Sequence, residues 1–78
     1  MGMNFKKNLA QLTDMISVED AETLLEWCQK HSNGKIDLSD CTHLHAANLQ
    51  VLMASRLNIV TWPKDDNLKT WLQAALVA

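Results

Sequence analysis

Three stretches of helical periodicity, each following a short segment that reads as a strand, constrain this chain more than any other feature. Between Val18 and His31, apolar residues recur at three- and four-residue steps: Val18, Ala21, Leu24, Leu25 and Cys28 form one stripe, with Glu19, Glu22, Glu26 and Gln29 opposite. The second stretch opens near His45 and runs to Arg56 without glycine or proline, aligning Ala46, Leu49, Leu52 and Met53. The third begins with Asp65 or Asp66 as cap and aligns Leu68, Trp71, Leu72, Ala75 and Leu76. "NFKKNLAQL" (Asn4 to Leu12) has no purely apolar face and fits an edge strand or a ragged helix, whereas "KIDLS" and "LNIVTW" read as strands, the latter closed by Pro63. Strand, helix, strand, helix, strand, helix predicts an α/β fold: a small, mostly parallel or mixed sheet of three to four strands with about three helices, joined by right-handed crossovers.

The punctuation agrees with this order. Ser17 three residues ahead of Asp20 resembles a capping box and predicts a helix start at about Val18, with Glu19 and Asp20 facing the positive end of the dipole. "HSNGK" predicts a stop near His31, with Asn33-Gly34 able to enter the left-handed region that ends helices.

At 78 residues the chain has room for a single core, so residues 1–78 are read as one domain. It is 47% hydrophobic and 21% charged, which predicts a packed soluble fold and not a disordered one. The net charge is −2 and Lys6-Lys7 is the only adjacent basic pair, so no footprint for nucleic acid is visible. No apolar run reaches the ~20 residues that cross a bilayer, and "MNFKKN" is polar where a signal peptide needs an apolar stretch, so neither membrane insertion nor export is expected. A cytoplasmic protein with two free, half-buried thiols, Cys28 and Cys41, and no cofactor is the expectation.

The stretch "IDLSDCTHLHAANLQVLMAS" carries the candidate chemistry. Cys41, His43 and His45 alternate, and would share a face only if the segment stayed extended; here it is expected to turn into a helix. Zinc needs more donors, and Cys28 and His31 are the remaining candidates, but the spacing Cys-x2-His-x9-Cys-x-His-x-His matches no zinc pattern. A metal-binding or small hydrolytic protein built on Cys41, His43 and His45 is the alternative reading. A nucleophilic Cys–His pair lacks an orienting carboxylate or amide and a glycine-rich oxyanion turn, so no enzyme is expected. Trp27 and Trp71 read as rim-of-core residues, and Trp62 as a strand-end cap.

Asp37-Leu38-Ser39, a short loop, and a helix with Leu49 and Leu52-Met53 on its apolar face together resemble the strand-loop-helix of STAS domains, the fold of anti-sigma factor antagonists and of sulfate-transporter tails. "ISVEDAETLLEW" is similar to the opening of that family's first long helix, and "LNIVTW" to the following strand, so the resemblance runs from about Asn4 through most of the chain. It implies a small interaction module in bacterial signalling, with a protein partner such as an anti-sigma factor. Where the family opens its helix with Asp-Ser-x-Gly, this chain has His45, Ala46 and Asn48, so the phosphoacceptor hydroxyl is missing; Ser39 and Thr42 lie nearby, ahead of the helix. The chain is also shorter than a full STAS domain, which leaves a sheet edge open to a second copy. The expected docking surface comprises Asp40, Thr42, His43, His45, Ala46 and Asn48, with Gln50 beside them, while Leu49, Leu52 and Met53 hold the helix to the sheet. Two histidines in that surface would make binding acid-sensitive.

Overall fold

The computed structural model describes residues 2–76. It is an α/β fold in which β1 (Met3–Lys6) and β2 (Leu9–Leu12) form a hairpin, and β3 (Asp14–Ile16) leads into α1 (Asp20–Lys30). Then come β4 (Lys35–Asp37), β5 (Cys41–Leu44), α2 (Ala46–Ser55), β6 (Asn58–Thr61) and α3 (Asp66–Leu76). The main sheet has the order β1-β2-β4-β6, with β1 antiparallel and the other three strands parallel. β3 and β5 pair in parallel as a second, two-stranded sheet. The α/β class, with three helices and a mixed sheet of four strands, falls within the expected mostly parallel or mixed sheet of three to four strands; the second sheet was not expected. The last two residues of the stretch assigned to the third helix lie outside the described residues.

Register and the two-residue period give the sheet one apolar face. Met3, Phe5, Ala10, Leu12, Ile36 and Ile59 fall on it, because Met3 opposes Leu12, Phe5 opposes Ala10, and Ala10, Ile36 and Ile59 align across the parallel strands. The other face carries Asn4, Lys6, Lys35 and Asn58, all exposed. Asn4–Leu12 had no clean amphipathic pattern because it is two strands, turned at Lys7-Asn8, with the apolar phase reset between them. Ala10, Leu12, Ile16, Leu24, Ile36, Leu38 and Leu72 are sealed from solvent and form the centre of the core.

The first helix starts at Asp20, two residues later than its pattern suggested. Asp20 is buried, and its Oδ2 accepts from both the Ser17 N–H (2.9 Å) and the Ser17 Oγ–H (3.1 Å). This is the back-reaching half of a capping box: the carboxylate satisfies the donors ahead of the helix, and Glu19 provides no side-chain cap. The buried stripe is Leu24, Trp27 and Cys28; Val18 and Leu25, placed on the inner face by their spacing, are exposed. Trp27 takes that space, stacking on Phe5 from β1 and on His31 with ring centroids 5.5 Å and 4.5 Å away.

Helix termination also differs in mechanism from the expected Asn33-Gly34 left-handed stop. Neither Asn33 nor Gly34 has positive φ; the cap is His31, whose N–H donates to the Cys28 carbonyl and whose Nδ1–H donates to the Trp27 carbonyl at 3.0 Å. Gly34 is needed for space: a Cβ there would sit 2.7 Å from the Trp27 ring.

Candidate functional site

The candidate segment stays extended for longer than its sequence suggested. Cys41–Leu44 is a strand, held in the second sheet because the chain leaving β2 bends at Asp14, whose φ of 55° lies in the left-handed region that aspartate tolerates better than most residues. The Asp14 N–H donates to the Asp40 carbonyl at 2.9 Å, and the His45 N–H donates to the Ile16 carbonyl at 2.9 Å, so both ends of β5 are tied to β3.

Extension does not gather the three ligand-type side chains, because a bulge breaks the alternation. Asp14 opposes Cys41 and Met15 opposes His43, leaving Thr42 as the extra residue on β5. Cys41 therefore points into the core at 1% exposure while His43 lies outside, and Leu44 returns to the core. The Cys41 Sγ–H donates to the His43 carbonyl at 3.5 Å, and burial pushes the thiol up to about 11, which leaves it protonated and a poor nucleophile or ligand at neutral pH. Burial likewise raises Cys28. His45 is the N-cap of α2, its Nδ1 accepting from the Ala47 N–H at 3.0 Å. One ring nitrogen is thus engaged in holding the helix start. Cys41, His43 and His45 do not converge, and among the described residues no three His, Cys, Asp or Glu side chains form a group that could hold a metal ion.

The residues assigned to a docking surface divide. Thr42, His43, His45 and Ala46 are exposed and line one concavity of about 520 Å³. Asp40 is exposed beside it and forms a surface ion pair with Lys64 at 3.6 Å. Asn48 does not belong to the polar rim: it is 0% exposed, and its Nδ2–H donates to the Ser17 carbonyl at 2.7 Å, tying α2 to the segment ahead of α1. Its Oδ1 has no hydrogen-bond partner among the described residues. Gln50 is exposed, Leu49 and Leu52 are buried as expected, and Met53 is 49% exposed and does not anchor the helix.

The opposite wall of the concavity comes from α3, which the sequence had not connected with this segment. Asp65, Asn67 and Trp71 complete it, with Leu68 at its base. The Asp65 Oδ1 accepts from the Leu68 N–H at 2.9 Å, as expected of a cap. Trp71, expected on the inward stripe, is 42% exposed. Leu68 and Leu72 carry the buried stripe, and Trp71 lies beside it where the helix edge meets the groove.

A larger concavity of about 650 Å³ lies at the other end of the domain, between the ends of α2 and α3 and the start of β6. Leu52, Leu57, Ile59 and Trp62 line it, with Arg56 as its charged residue, and it contains none of the residues expected to form the docking surface. Its walls set the Arg56 guanidinium, the Asn58 amide and the Trp62 indole among aliphatic side chains. The smaller groove combines an exposed indole, two imidazoles, a hydroxyl and a carboxylate, which is the chemistry of recognition.

No family model matches the chain, and no curated protein is significantly similar to it.

Proposed function

We propose that this protein is a small STAS-like interaction module, cytoplasmic and acting in bacterial signalling by binding a protein partner and not by catalysis. It docks through the groove between the start of α2 and the first turns of α3. The observation that carries this reading is the convergence of Thr42, His43, His45 and Ala46 with the exposed Trp71 on one concave surface. Aromatic residues bordered by polar groups that can be desolvated are what concentrate binding energy at protein interfaces.

Ala46 is the first residue of α2, where the family resemblance places a phosphoacceptor serine. A phosphoryl group there would meet unpaired helix amides and add about two negative charges at the docking surface. Alanine has no oxygen to modify, so the module is a constitutive binder whose occupancy is set by partner concentration.

The test is an affinity capture from native lysate with three baits: the wild-type chain, Thr42→Trp, which fills the groove from an exposed position, and Lys30→Gln on the far side. The reading predicts a stoichiometric partner of the regulatory-kinase or signalling class that wild type and Lys30→Gln retain and Thr42→Trp loses. A partner held equally by all three baits, or a metabolic enzyme whose substrate chemistry runs through this groove, would overturn it.

A further inference from the structure

The fold sorts the charges by end. Lys6 and Lys7 lie at the hairpin turn, Lys30 closes α1, Lys35 opens β4 and Arg56 caps α2, so five of the seven basic residues lie at the end where the parallel strands begin. At the opposite end Asp14 opens β3, Glu19 and Asp20 start α1, Asp37 closes β4, Asp40 follows it, and Asp65 and Asp66 start α3. Seven of the nine acidic residues are there. A net charge of only −2 conceals this separation. The groove opens at the acidic end, with Asp65 in its wall, and Lys64 beside it is already engaged by Asp40.

We propose that the groove takes a basic segment of the partner protein, with an arginine or lysine side chain laid on the Trp71 indole and within reach of the Asp65 carboxylate. This rests on the docking reading and specifies the partner's chemistry. Three features support it together. The indole face attracts a cation, and does so most strongly when the site is partly desolvated, as in a concavity. The Asp65 cap uses Oδ1, which leaves Oδ2 without a partner in that hydrogen bond and free to receive a guanidinium or ammonium donor. The field of the surrounding carboxylates steers a positively charged segment toward this end and repels an acidic one. A second copy of the chain could also present its basic end here, and a neutral apolar segment could fill the groove on contact area alone; both are distinguished below.

The probe is a random dodecapeptide display library panned on the full chain at low salt and counter-selected on Trp71→Ala, with Thr42→Trp as a second counter-target whose core is untouched. Enriched peptides should carry an excess of Lys and Arg. A synthetic representative should bind about tenfold more weakly to Asp65→Asn/Asp66→Asn, in which the amide still caps the helix, but unchanged to Glu22→Gln/Glu26→Gln, which removes the same charge from the outer face of α1. Its affinity should also fall between about 20 and 500 mM salt. Neutral or acidic peptides that still require the groove would overturn the basic-segment inference while leaving the docking reading intact. No enrichment over the two groove variants would remove both. Concentration-dependent dimerisation at low salt, abolished by Asp65→Asn/Asp66→Asn, would assign the groove to a second copy and overturn the inference.

Discussion

His45 and Asn48 show how one short motif divides between structure and recognition. His45 caps α2 through Nδ1, which accepts from the Ala47 N–H, so its loss removes the side-chain cap of that helix. His45→Ala should lower stability by about 1 kcal/mol in urea unfolding, and His45→Asp should restore it, since a carboxylate both caps and complements the dipole. Asn48 is under a stricter constraint, because its amide joins two segments in the core. Asn48→Ala removes the link to the Ser17 carbonyl, which keeps only the Asp20 N–H at 3.1 Å, and opens a small void in the core, so it should cost about 1–3 kcal/mol. Asn48→Asp should cost more, since it opposes that carbonyl with a buried carboxylate. The two thiols set an alkaline limit. Unfolded, each ionises near 9.0; folded, Cys41 holds its proton to about 11 and Cys28 is raised as well, in both cases chiefly by burial. The native state then binds more protons than the unfolded chain, so this stability is complete below pH 9 and is lost as pH climbs toward 11. The Cys28→Ala/Cys41→Ala variant should show a shallower decline over that window, measured by urea midpoints at each pH. In the wild type at neutral pH, an aromatic disulfide reagent should label neither thiol until denaturant is added.

The elements were legible where periodicity was long and obscure where it was short. All three helices stand within about two residues of their expected starts, because 10 or 11 residues give the repeat time to declare itself. Strands β3 and β5 are three and four residues long, and the bulge at Thr42 destroys the alternation that would have marked β5, so that segment was assigned to a turn. The hairpin was hidden similarly: without a glycine, Lys7-Asn8 carries no strong turn signal, and two four-residue strands of different phase read as one ragged segment. Of the site, the α2 half was legible because its histidines and helix start are local in sequence. The α3 half was not, since only tertiary packing brings Trp71 across from His43, and Asn48 was misplaced because a polar letter beside a helix start gives no sign of a partner 31 residues away. Gly34 makes the same point. Its value lies in its lack of a side chain beneath Trp27, so Gly34→Ala should displace the indole, changing tryptophan emission and costing about 1–3 kcal/mol.

For the molecule as a whole, the decisive property is asymmetry. Helices and core occupy one side of the sheet, a polar exposed face the other, acids gather at one end and bases at the opposite end. A domain this small retains little stability in reserve, and surface area spent on an exposed tryptophan is area withheld from the core. Trp71→Ser gives up the half of the indole that is buried and should cost about 1–2 kcal/mol of stability, leaving the chain folded, while damaging recognition far more; such a split between stability and binding would mark the position as functional. Both edge strands, β1 and β6, have four residues, too short to present a long unpaired ladder, and Lys6 lies on β1. The groove, not the sheet edge, is the proposed docking surface. Docking there can be mapped by following amide chemical shifts of the full chain during titration with a partner fragment or groove-selected peptide. Perturbations confined to Thr42 through Ala47 and Asp65 through Trp71 are the predicted result. Perturbations centred instead on Leu52 through Trp62, or along β6, would contradict it.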